Sequence, residues 1–67
     1  MSIGANIRKF RVEMGLTQEE LANKVNVSRP LITQIERGTK PLSVALAKEL
    51  AAFFQCSIIE LIEEEKE

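Results

Sequence analysis

Residues 17–38 read TQEELANKVNVSRPLITQIERG, and their spacing predicts two short helices joined by a tight turn. Thr17 opens the first. Its hydroxyl can accept from the amide of Glu20 while the Glu20 carboxylate reaches back to the amide of Thr17, the reciprocal pair of a capping box. Leu21, Ala22 and Val25 then recur at helical spacing and form one apolar face. Asn26 falls where that helix must stop. After Gly, Asn best tolerates the left-handed backbone used at such ends. Val27 would plug the corner, and Ser28 is a good N-cap for the second helix.

The second helix, about residues 29–37, has two unlike faces. Ile32 and Ile35, with Val27 from the corner, point inward. Arg29, Pro30, Thr33, Gln34 and Arg37 fall within one arc on the opposite side at about 100° per residue. Arg, Gln and Thr on one exposed face are side chains that read base edges. Arg can bond guanine O6 and N7, Gln can bond adenine N6 and N7, and Thr can touch a thymine methyl. Pro30 adds apolar contact and, lacking an N–H, tolerates the first helical turn. It obliges Ser28 to cap through the amide of Leu31 and biases Arg29 away from helical angles.

The run GLTQEELA at 15–22, VSR at 27–29 and I-x-x-I-E-R-G at 32–38 resembles the Xre/Cro family, the lambda-repressor-like helix-turn-helix DNA-binding domains. The resemblance spans roughly residues 3–62, and the joint pattern is specific where any piece alone is weak. It implies that helix 3 enters the major groove while helix 2 lies across the backbone. It implies that Gln18, at the start of helix 2, binds phosphate and braces the first residue of helix 3, here Arg29. It also implies a partly buried ion pair between helices 1 and 3, which falls on Arg11 and Glu36. Three positions depart from the family pattern. Asn26 replaces the usual Gly, Pro30 sits inside the reading helix, and Ile59 stands where an exposed acid is usual. Cys56 takes a place that is usually aliphatic and reads as a small buried hydrophobe.

The chain has 67 residues, one Cys and no His. That length makes one domain, residues 1–67, with a small core. The absence of His and the lone Cys exclude a disulfide framework, the usual zinc spacings and common general-base arrangements. Neither a cofactor nor a metal is expected, and no enzyme chemistry. No apolar run could span a bilayer and no signal peptide is visible, so a cytoplasmic location without membrane contact is expected. Charge is segregated. Residues 1–48 hold eight Lys/Arg against four Glu, and residues 49–67 hold one Lys against six Glu, so the net charge of −1 divides into +4 and −5. A basic body with an acidic tail suits one face toward phosphate and the other toward solvent or a partner.

Outside the central stretch the fold class is all-α, a compact five-helix domain with the helix-turn-helix at helices 2 and 3. Helix 1 is expected over residues 2–14, with Ile3, Ile7, Phe10 and Met14 as its core stripe and Gly15 as a left-handed stop. Gly38 ends helix 3, and a loop over 38–42 follows. Ser43 caps helix 4, residues 44–54, with Val44, Ala47, Leu50, Ala51 and Phe54 inward. Ser57 caps helix 5, residues 58–63, with Ile58, Leu61 and Ile62 inward. Residues 64–67 read as a frayed acidic tail.

The candidate base readers are Arg29, Pro30, Thr33 and Gln34. The phosphate candidates are Gln18, Arg11, Arg37, Thr39 and Lys40. Leu42, Leu46, Phe53, Ile59 and Ile62 form the candidate dimer interface, because large apolar patches are unusual on monomers. The partners implied are double-stranded DNA and a second copy on a near-palindromic operator, with any regulatory protein partner unknown. A phage or plasmid repressor, a restriction–modification controller and an antitoxin all fit. The alternative is a protein-interaction module on the same fold that does not bind DNA, favoured by the apolar, acidic C-terminal third.

Overall fold

The computed structural model describes residues 3–62. These form five helices, α1 (Ile3–Glu13), α2 (Gln18–Lys24), α3 (Arg29–Arg37), α4 (Val44–Phe54) and α5 (Ile58–Ile62), and no strand occurs among the described residues. The expected start of helix 1 at Ser2, the end of helix 5 at Glu63 and the acidic tail 64–67 lie outside the described residues. None of the described helices is long and apolar enough to cross a membrane.

Each helix boundary is written locally. Thr17 accepts from the Glu20 amide at 3.0 Å while Glu20 accepts from the Thr17 amide at 2.8 Å, which completes the capping box of α2. Ser28 and Ser43 cap α3 and α4 through the amides of Leu31 and Leu46. Ser57 and Glu60 form a second reciprocal pair at the start of α5. Four helices stop in one way. Gly15, Asn26, Gly38 and Gln55 adopt left-handed φ of 72°, 64°, 80° and 59°. The following amide in each case reaches back five residues, from Leu16 to Arg11, Val27 to Ala22, Thr39 to Gln34 and Cys56 to Ala51. This is the double closure of a Schellman motif.

The core gathers Ile7 of α1, Leu21, Ala22 and Val25 of the α2 end, Ile32 and Ile35 of α3, Leu46, Ala47, Leu50 and Ala51 of α4, and Leu61 of α5. α3 packs on both α1 and α2, and α5 packs on both α1 and α4. The Phe10 and Phe54 rings stack at 5.3 Å, joining α1 to the end of α4. Asn6, buried in α1, donates from Nδ2 to the Leu61 carbonyl at 2.9 Å and ties α5 down. Gly4 is needed for a close approach: a Cβ there would collide with the carbonyls of Ile35 and Glu36. The end of α3 therefore rests directly on the backbone of α1.

Four expectations about burial are corrected. Met14 is 49% exposed rather than core, because α1 ends one residue earlier and Leu16, beyond the Gly15 turn, packs against the core instead. Val44 is 71% exposed and Leu46 is buried, so the inner face of α4 is rotated toward Leu46 and Phe53. At about 100° per residue Val44 lies roughly a quarter turn from the centre of that face. Leu46 is thereby withdrawn from the candidate dimer interface. Ile62 is 41% exposed rather than inward, since Leu61 takes the buried position at the end of α5. Cys56 is half-buried.

Candidate nucleic-acid interface

α3 presents Arg29, Pro30, Gln34 and Arg37 as exposed side chains, with Thr33 half-buried beside them and Ile32 and Ile35 buried behind. Pro30 leaves the helix intact from Arg29 onward, because the second position of a helix has no intrahelical donor to lose. Ser28 Oγ accepts from the Leu31 amide at 3.4 Å, as expected for a helix whose second residue has no N–H. Among the described residues neither Arg29 nor Gln34 has a side-chain hydrogen bond or ion pair, so both present their full donor sets outward.

Behind this face runs a continuous polar chain through three helices. Arg11 donates from Nε to Glu36 Oε2 at 2.7 Å and from Nη2 to Glu36 Oε1 at 3.1 Å, and from Nη1 to the Leu16 carbonyl at 2.8 Å. The Arg11 and Glu36 side chains are 11% and 4% exposed. Gln18 donates from Nε2 to Glu36 Oε1 at 3.0 Å, and Gln18 Oε1 accepts from Thr33 Oγ1 at 2.7 Å. The two-pronged guanidinium–carboxylate contact fixes α1 against α3 with both distance and angle defined.

These contacts bear on several assignments. Arg11 faces into the protein, where each of its three nitrogens makes one bond and the interhelical pair is formed as the resemblance implies; two of its five N–H groups take no part in these bonds. Gln18 reaches Thr33 and Glu36 and not Arg29, because α3 is seated so that its second turn, not its first residue, lies against the start of α2. One amide proton of Gln18 remains free at the half-exposed N-terminus of α2, where unpaired backbone amides favour an anion. Thr39 is exposed, but its hydroxyl and its backbone N–H both donate to the Gln34 carbonyl, at 3.2 and 3.0 Å. Its hydroxyl would have to turn from that carbonyl to reach a phosphate. Arg37 and Lys40 are exposed cations at the end of α3 and in the loop after it.

The second face of interest is apolar. Ile59 is 66% exposed and Ile62 41%, on the outside of α5. Phe53 is half-buried, its ring 5.6 Å from Phe54, and Leu42 is half-buried against the core. An open groove of about 420 Å³ runs between the α2–α3 turn and α4, lined by Val25, Val27, Leu31 and Ala45 with Glu49 at its rim. Among the described residues no group of His, Cys, Asp and Glu could hold a metal ion.

Sequence reasoning missed Asn6 and the Gln18–Thr33 contact. Asn6 was detectable, since positions 3, 6, 7 and 10 lie on one helical face and a polar residue there must find a partner. The Gln18–Thr33 contact had no local signal, because it depends on how α2 and α3 cross.

The helix-turn-helix family model matches residues 7–61. A helix-turn-helix-type transcriptional regulator of Archaeoglobus fulgidus is 46% identical over 55 residues, covering 82% of this chain and 79% of that protein. The fold is similar to that of the restriction–modification controller protein C.AhdI from Aeromonas hydrophila, with a TM-score of 0.84 and 30% identity over 90% of this chain and 91% of that one. It is also similar to the P22 c2 repressor, solved in complex with a synthetic operator, with a TM-score of 0.89 and 28% identity over 97% of this chain and 98% of that one.

Proposed function

The chain belongs to the helix-turn-helix family, in its lambda-repressor-like (Xre/Cro) form, and from that premise we propose that it binds double-stranded DNA sequence-specifically as a homodimer and so regulates transcription. The family is one of transcriptional regulators and not of enzymes. The observation that carries the reading is the division of α3, with Ile32 and Ile35 buried and Arg29, Pro30, Gln34 and Arg37 exposed on the other side.

In this reading α3 lies in the major groove. Arg29 and Gln34 bond base edges, Pro30 supplies apolar contact and Thr33 meets the base between them. The free Gln18 amide proton, Arg37 and Lys40 hold phosphates, which fix the register without reading sequence. Ile59, Ile62, Phe53 and Leu42 form the twofold contact. A pair of α3 helices about one DNA turn apart then requires a near-palindromic operator. The net negative charge is compatible with this, because the acids concentrate after residue 48 while α3 and its flanks are basic.

The test is selection of bound sites from a random duplex pool, followed by binding of the selected site across a salt series. A symmetric consensus whose affinity falls steeply with salt is expected. No enrichment and no binding at low salt would instead favour a protein-interaction module built on the same fold.

A further inference from the structure

The polar chain behind α3 has a fixed direction, and that direction constrains what Thr33 can offer a base. Glu36 is clamped by two nitrogens of Arg11 and has no proton to give. Gln18 must therefore turn its NH2 toward Glu36, at 3.0 Å, and its carbonyl away. The carbonyl faces Thr33 Oγ1 at 2.7 Å. A carbonyl only accepts, so the Thr33 hydroxyl is the donor of that bond. A threonine hydroxyl carries a single proton. What Thr33 retains for an outside partner is its lone pairs and its methyl group.

The geometry points to Thr33 as a specificity-determining residue that excludes guanine, with its hydrogen-bond polarity set by Gln18 and, through Glu36, by Arg11. This inference rests on the proposed DNA binding by α3. In the major groove thymine offers a methyl, and adenine and cytosine each offer an amino donor. Guanine offers only the acceptors N7 and O6. Two acceptors facing the lone pairs of a hydroxyl whose proton is engaged repel each other. Gln18 thus acts as a positioning residue: it reads no base, but it decides which bases Thr33 accepts.

The experiment is site selection from a random duplex pool with the wild-type chain and with Thr33→Ala, Thr33→Val and Gln18→Leu. Thr33→Ala locates the base that Thr33 meets. At that base the wild type should deplete guanine about tenfold against the preferred base, as one good contact allows. Gln18→Leu frees the hydroxyl proton, and the guanine penalty should shrink at that position alone. Thr33→Val keeps the methyl but no lone pairs, so it should retain thymine and lose adenine and cytosine. Helix content and melting of each variant check that it is folded, and Thr33→Val carries the test if Gln18→Leu does not fold.

A Gln18→Leu protein that binds all sites more weakly, with the guanine penalty intact, would reduce Gln18 to a phosphate contact and overturn the inference. So would guanine as the wild-type preference at that base. A wild type that enriches no sequence would instead sink the DNA-binding reading, and the role of Thr33 with it.

Discussion

Replacing Arg11 by Met tests the interhelical pair most directly, and its effect can be worked from the contacts. The substitution keeps an unbranched stem but removes three hydrogen bonds, two to Glu36 and one to the Leu16 carbonyl. Glu36 is left as a carboxylate whose side chain is 4% exposed, with one remaining donor, Gln18 Nε2. Removing one partner of a buried pair typically costs about 3–5 kcal/mol, most of it the penalty of the stranded charge. The surviving Gln18 bond places this case near the lower end, at about 3 kcal/mol.

A domain of this length has roughly 3–10 kcal/mol in total, so Arg11→Met should remove a third or more of the stability. The melting temperature should fall by roughly 12–24 °C on the usual scaling for small domains. Urea unfolding followed by far-UV circular dichroism measures this directly. The double variant Arg11→Met/Glu36→Gln discharges the stranded acid while keeping an acceptor for Gln18, and should recover about half of the loss or more. A single variant within about 1 kcal/mol of wild type, or a double variant no better than the single, would refute the account.

Four further outcomes are expected. Gly4→Ala should destabilise by about 1–3 kcal/mol, since its Cβ meets the backbone of Ile35 and Glu36 rather than a movable side chain; an unchanged urea midpoint would place α1 and α3 further apart than described. Gln55→Gly should stabilise by about 0.5–1 kcal/mol by relieving the left-handed backbone of a residue with a Cβ, read from the same unfolding curves. Ile59→Glu should give a monomer in sedimentation with the helix content unchanged, and an intact dimer would move the interface off α5. Burial, and secondarily the charge of Glu60, pushes the Cys56 thiol above its ordinary value, so less of it is thiolate in the folded chain. Alkylation by iodoacetamide should therefore be slower in the native protein than in the urea-unfolded chain, and equal rates would show an open thiol.

The helices were legible because their limits are set by neighbours in the chain. The Thr17–Glu20 box, the turn at Asn26 and the stops at Gly15 and Gly38 are all local patterns, and α3 begins and ends where its caps dictate. The end of α4 at Phe54 was read correctly, but the left-handed backbone of Gln55 that makes it was not, because Gln carries no intrinsic preference for that conformation. Periodicity placed Val44 inward and left out Leu46 by choosing the wrong centre for the face. The outward side of α3 followed from period alone. Where Arg11, Gln18 and Thr39 direct their donors did not, since each is decided by a crossing or a turn that no single helix encodes.

The four left-handed stops have a consequence for how such a protein can change. Every one is closed by main-chain atoms, so the frame is indifferent to the side chains of Arg29 and Gln34, which take no part in starting, stopping or packing any helix. Mutation can therefore explore those two positions without first weakening the domain. If α3 reads DNA as proposed, a lineage built on this frame can trade one target sequence for another by single steps, each intermediate remaining folded.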